Sequence, residues 1–111
     1  MEKGIDSTLS LRPSTMNDAD LLLEWRNDIT TREASLTTAF VEVQSHCIWL
    51  QATLDNPQRR MYIAEYLYQS VGTIRADMDG KGWLLSWTVA PLFRGQGIAH
   101  KILNTFIEGY D

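Results

Sequence analysis

The residues best suited to chemistry lie between Val89 and Ala99, where the chain reads VAPLFRGQGIA. The run from Trp83 to Val89 has the composition of a strand, Pro91 cannot continue it, and an apolar-periodic helix begins at Gly97 or Ile98. A strand that turns through Arg94, Gly95, Gln96 and Gly97 into a helix forms an anion cradle. Glycines let a ligand approach the backbone, the first N–H groups of a helix point outward, and the helix dipole puts partial positive charge behind them. Arg94 adds a permanent charge. The ligand expected there is a phosphate or pyrophosphate, held by the amides of Gly95, Gln96, Gly97, Ile98 and Ala99. No Walker lysine follows the glycines and no dinucleotide fingerprint occurs, so other phosphate-binding loops have little support.

Several elements must position that loop. Thr8 to Arg12 predicts a short first strand, ended by Pro13. Thr15 followed by Asp18 is a helix-start pattern, and Leu21, Leu22 and Trp25 then share one face. The threonine-rich stretch from Asn27 to Phe40 is poorly periodic and predicts a long loop with at most one helical turn. A second helix is expected over Val43 to Leu54, with Val43, Cys47, Leu50 and Leu54 as its apolar stripe and Asn56-Pro57 as its stop. Two β runs, Met61 to Leu67 and Val71 to Asp77, predict an antiparallel hairpin joined around Tyr68, Gln69 and Ser70. A turn at Asp79 to Gly82 precedes the fourth strand, and the last helix should run from Gly97 to about Gly109. The expected class is α/β (α+β), in the order β-α-α-β-β-β-α. Without a repeat, linker or low-complexity tract, residues 1–111 are expected to form a single domain.

Composition sets the outer limits. The chain has 111 residues, 44% hydrophobic and 22% charged, which fits an ordinary globular protein rather than a disordered one. A net charge of −4 gives no general attraction to nucleic acid or anionic membranes. Cys47 is the lone cysteine, which excludes an internal disulfide and suits a reducing compartment. Met1 to Ser10 lacks a signal-like apolar run, and no stretch is long enough to span a bilayer. The expected location is the cytoplasm, with no nucleic-acid partner, membrane or metal.

The segment Arg94-Gly95-Gln96-Gly97-Ile98-Ala99 fills every fixed position of the pattern Arg/Gln-x-x-Gly-x-Gly/Ala, and Trp87 to Pro91 looks like the strand before it. In this the chain resembles the GNAT acyltransferases. Trp25-Arg26-Asn27 at the end of the first helix, His46 three before Trp49, and Ser86 to Val89 look like the branch that acetylates amino sugars and ribosomal-protein N-termini. The resemblance implies a mixed, mostly antiparallel sheet with flanking helices. It also implies acetyl-CoA as cofactor, with the backbone of Thr88 and Val89 pairing the pantetheine arm and residues 94–99 holding the pyrophosphate. Trp25, Arg26 and Asn27 would border the acceptor, an amino sugar or another small amine, or a peptide α-amine. That amine would attack directly, through a tetrahedral intermediate stabilised by a strand-four amide.

A protonated amine has no lone pair, so a base or a deprotonated acceptor is needed. Members of the family often carry a carboxylate near the start of the fourth strand, where this chain has Trp83-Leu84-Leu85. The candidate base is then His46, whose ordinary pKa is near neutral, with Glu65 or a water as substitutes. Cys47 reads as a small core residue rather than a nucleophile. Full members of the family continue beyond the helix that ends here near Asp111, which points to a partial domain lacking the usual C-terminal strands. Two expectations follow: a homodimer in which a second copy covers the last helix and strand four, and, as the alternative to an enzyme, a catalytically silent CoA-binding or interaction domain.

Overall fold

In a computed structural model, which describes residues 8–28, 31 and 40–109, four strands form one antiparallel sheet in sequence order. They are β1 (Ser10–Pro13), β2 (Arg59–Tyr66), β3 (Gln69–Met78) and β4 (Trp83–Val89). Among the described residues three helices flank the sheet: α1 (Ala19–Asn27), α2 (Val43–Asp55) and α3 (Ile98–Gly109). This is the mixed α/β, GNAT-like order expected, although the segment Asn27 to Phe40 lies mostly outside the described residues.

Local chemistry explains the boundaries. Thr15 and Asp18 form a reciprocal capping box, so the chain enters α1 through a 3-10 turn over Met16–Asp18. Arg12 reinforces the cap, with Nη2 and Nη1 at 2.8 and 3.0 Å from the two Asp18 oxygens. β1 retains Pro13, opposite Tyr62, rather than ending before it, because a proline fits an edge strand. The β2–β3 turn sits at Leu67 and Tyr68, earlier than expected. Both residues have positive φ, 53° and 67°, as a tight hairpin turn requires, but neither is a glycine or asparagine that would betray it.

The sheet separates two cores. On one face α3 buries Ile98, Ile102 and Phe106 against Leu11, Ala64, Val71, Ile74 and Ala76. On the other, α1 and α2 bury Leu22, Trp25 and Leu50 against Ile63. The inward face of α2 is His46, Leu50 and Thr53; of the expected apolar stripe Leu50 is buried and Leu54 packs against the core, while Cys47 is only half-buried and Val43 is 61% exposed. The helix is turned because two polar residues find partners inside. His46 bonds to α1, and Thr53 Oγ1 accepts from Arg59 Nη1 at 3.4 Å. Cys47 is free and half-buried.

Candidate functional site

After β4 the chain makes a 3-10 turn, Pro91–Phe93, and then the loop that leads to Ile98. Gly95 and Gly97 both adopt left-handed backbone, φ 79° and 75°, and a Cβ at either would meet nothing within 4 Å. The loop is thus glycine-dependent for its dihedrals and open above its backbone. None of the N–H groups from Gly95 to His100 has an acceptor among the described residues, and the first such bond in α3 is Lys101 N–H to Gly97 O. The side chain of Ile98 is buried in the core, so only its amide can serve a ligand. The Arg94 side chain does not project freely. It donates to Asp28 Oδ2 at 2.7 Å and Thr31 Oγ1 at 2.8 Å, tying the loop to the end of α1. Gln96 is exposed and reaches back to Leu92 O at 3.4 Å.

Gly72 on β3 sets the approach of α3 to β4. A Cβ there would lie 2.5 Å from Thr88 O and 2.9 Å from Ile102 Cδ1. Gly72 pairs with Val89, and Thr73 with Thr88, so the last two residues of β4 are held from one side only. The other edge of β4 has no strand partner among the described residues.

Beside β4 opens a cleft of about 250 Å³. Trp25, Arg26 and Trp49 wall it from the helices, while Thr73 and Arg75 of β3 and Ser86 to Thr88 of β4 line it from the sheet. The register explains the polar floor, since Thr73 faces Thr88 and Arg75 faces Ser86. Arg26 stacks over the Trp49 ring at 4.4 Å from its centroid, and Arg75 lies at 5.8 Å.

Of the residues expected from sequence, Trp25, Arg26 and Thr88 meet at this cleft. Asn27 does not line it. Its side chain is engaged with Val41, donating from Nδ2 at 2.8 Å and accepting at Oδ1 at 2.7 Å, and so pins the approach to α2. The structure also places His46, the candidate base, beneath the surface. His46 is 1% exposed and both ring nitrogens are occupied. Nε2 lies 2.9 Å from Ala19 O, which can only accept, so Nε2 carries the hydrogen and Nδ1 accepts from Arg26 Nη1 at 3.0 Å. Burial, chiefly, pushes the His46 pKa below its ordinary value, against the opposing pull of the Ala19 carbonyl. Glu65 is held by Arg12 Nε at 2.8 Å and is not part of the cleft lining.

Sequence reasoning missed three residues. Arg75 was hidden because only cross-strand register brings it beside Arg26. Asp28 was hidden because its partner is Arg94, distant in sequence. Gly72 carried a legible signal, a glycine inside a strand pattern, which often marks close backbone approach. Among the described residues no group of three His, Cys, Asp or Glu could hold a metal ion, and no helix is long and apolar enough to cross a membrane.

The family model for the acetyltransferase (GNAT) family matches residues 20–109. Solved structures with similar folds include an acetyltransferase from Thermus thermophilus, 21% identical with a TM-score of 0.79 over 92% of this chain and 69% of that one. The aminoglycoside acetyltransferase AAC(6')-Ib in complex with coenzyme A is 18% identical, TM-score 0.74, over 91% of this chain and 66% of that one. An acetyl transferase of Salmonella typhimurium that modifies the N-terminal serine of a 50S ribosomal subunit protein is 17% identical, TM-score 0.77, over 95% and 64%. The chain thus spans about two thirds of the length of each of these proteins. No match was found among curated proteins.

Proposed function

Because the chain belongs to the GNAT acetyltransferase family, we propose that it binds acetyl-CoA and transfers the acetyl group to a primary amine of a small molecule, such as an amino sugar, or of a peptide N-terminus. The observation that carries this reading is the meeting of two features on β4. The strand leads into a loop of open N–H donors, and its residues Ser86 to Thr88 also line the cleft walled by Trp25 and Arg26.

The residues present fit the cofactor. The amides of Gly95, Gln96, Gly97, Ile98 and Ala99 would hold the pyrophosphate, where two left-handed glycines leave the backbone uncovered. The backbone of Thr88 and Val89 would pair the pantetheine arm along the edge of β4 that has no strand partner among the described residues. Acetyl-CoA, when bound, supplies the thioester that a free amine attacks directly. Trp25 and Arg26 then orient the acceptor. His46 acts as a positioning residue: it holds Arg26 through Nδ1 while Nε2 anchors it to α1. Among the described residues no Asp, Glu or His lines the cleft, which fits an amine that arrives deprotonated.

That last observation also favours a second reading, a CoA-binding domain without turnover. Thiol release from acetyl-CoA with a panel of amines separates the two. Binding of CoA without any amine-dependent thiol release would overturn the transferase reading and leave the binding one. We further place the protein in the cytoplasm, in keeping with its free Cys47. We also expect a homodimer formed through the first half of β4, where Leu84 is 62% exposed beside the same edge.

A further inference from the structure

The cleft beside β4 is cationic in a chain whose net charge is −4. Its lining contains Arg26 and Arg75 and, among the described residues, no carboxylate. Arg75 leans on Asp77, with Nε and Nη2 each 3.2 Å from Oδ2. That carboxylate also serves Arg59, whose Nε lies 3.4 Å from Oδ1. One negative charge is therefore divided between two guanidiniums. Arg26 has no carboxylate at all among the described residues, only the neutral His46 ring and the face of Trp49. Burial first, and then repulsion from Arg75, hold the Arg26 pKa below its ordinary value, as an uncompensated charge requires. It remains a cation at neutral pH.

The same contacts leave Arg26 preorganised. Stacking on Trp49 fixes the guanidinium plane, and His46 takes a single bond at Nη1. The remaining N–H groups form the planar fork that matches a carboxylate. Ser86 and Thr88 add neutral hydroxyl groups to the same lining, whereas the buried Thr73 hydroxyl donates to Tyr62 O at 2.7 Å. A polyamine or polycationic sugar would bring like charge against both arginines.

We infer that this cleft selects an acceptor amine bearing a carboxylate a few bonds from its nitrogen, an amino acid or the acidic N-terminus of a peptide, with Arg26 reading the carboxylate. The inference rests on the acetyltransferase reading and narrows it to one acceptor class.

Two measurements keep the two readings separate. The first follows quenching of the cleft tryptophans by product-like probes and needs no turnover. N-acetylglutamate should bind about tenfold or more tightly than its diamide, and N-acetylspermidine should bind weakest. An N-acetylated Glu-Glu-Ala tripeptide binding more tightly than N-acetylglutamate assigns the peptide source, and the reverse assigns the free amino acid. Arg26→Gln should remove the preference for the acid over the diamide, while Arg26→Lys should keep most of it. Equal binding of acid and diamide, or a preference unchanged in Arg26→Gln, overturns the inference. The second measurement is thiol release with the matching free amines. Acetylation confined to cationic amines overturns the charge selection and leaves the transferase. Charge-selective binding with no amine acetylated overturns the transferase and leaves the carboxylate site.

Discussion

Asp28 and Arg94 stand 66 positions apart in the chain, yet Oδ2 of one and Nη1 of the other meet at 2.7 Å. The contact joins the end of the helix that walls the cleft beside β4 to the loop that would hold the cofactor. Both side chains are partly exposed, 20% and 32%, so the pair is screened by water. A double-mutant cycle with Asp28→Asn and Arg94→Gln should give a coupling of only about 0.3–1 kcal/mol in urea unfolding. CoA affinity should fall several-fold in both single variants, because each releases the loop. CoA binding unchanged in Asp28→Asn would show that the loop needs no such tether.

Gly97 should tolerate no β-branched residue. At φ 75° a valine costs about 1–2 kcal/mol of backbone strain, although nothing would touch its Cβ. Gly97→Val should therefore remain folded by circular dichroism and lose CoA binding in calorimetry. Gly97→Asn is the control, since asparagine accepts left-handed backbone, and it should retain more. Parent-like affinity in the valine variant would move the phosphate site elsewhere.

Gly72 makes the opposite demand, space rather than dihedral freedom. Gly72→Ala drives a Cβ against Thr88 O and Ile102 Cδ1 and should cost about 1–3 kcal/mol by overpacking. Because the strain falls on Thr88, CoA binding should weaken along with stability. A thermal melt paired with calorimetry checks both, and a variant as stable as the parent contradicts the packing described.

His46 yields a pH signature. Its folded pKa lies below its ordinary value of 6.5, so the folded state holds the ring neutral. Above pH 6.5 the ring is neutral in both states and contributes no slope. As pH falls below 6.5 the unfolded chain takes up the proton first, so stability drops towards the folded pKa. Replacement by Asn should flatten that slope in chemical unfolding between pH 7 and 5. Transfer activity, in contrast, should rise with pH through the acceptor amine's own pKa. A rate profile governed by an enzyme group near neutrality and lost in the Asn variant would restore His46 as base.

Assembly is open to a direct measurement. Light scattering across a concentration series should show a dimer, and Leu84→Lys should shift it towards monomer. The helix α3 gives this prediction less support than the sequence suggested. It buries Ile98, Ile102 and Phe106 against its own sheet, and Ile107, 58% exposed, is left open. A monomer at every concentration removes the case.

The legible parts of the molecule were those governed by neighbours in sequence. β4 was bounded correctly because Gly82 and Pro91 punctuate it, and Thr15 with Asp18 announced the first helical segment. The 94–99 loop was readable because its glycines follow a strand and precede a helix. What escaped depends on partners far along the chain. The apolar pattern of α2 pointed to Cys47, but hydrogen bonds from α1 and β2 draw His46 and Thr53 inward instead. No local pattern could show that Nε2 of His46 meets Ala19 O, and so that the ring is spent on structure. Arg75 and Arg26 likewise share Trp49 only because β3 and α1 are brought together by the fold.

β3 alternates between two duties along its length. Ile74 and Ala76 seal the core beneath α3, while Thr73 and Arg75 look into the cleft. On the proposed reading, stability and acceptor choice are thereby written on opposite faces of one strand. A substitution at 75 would then retune what the cleft accepts with the core intact, whereas one at 73 would also break the bond from the Thr73 hydroxyl to Tyr62 O. A one-residue insertion in β3 has the reverse character, because it would exchange the two faces and send Arg75 into the core. The strand is therefore free to evolve by replacement and closed to change in length.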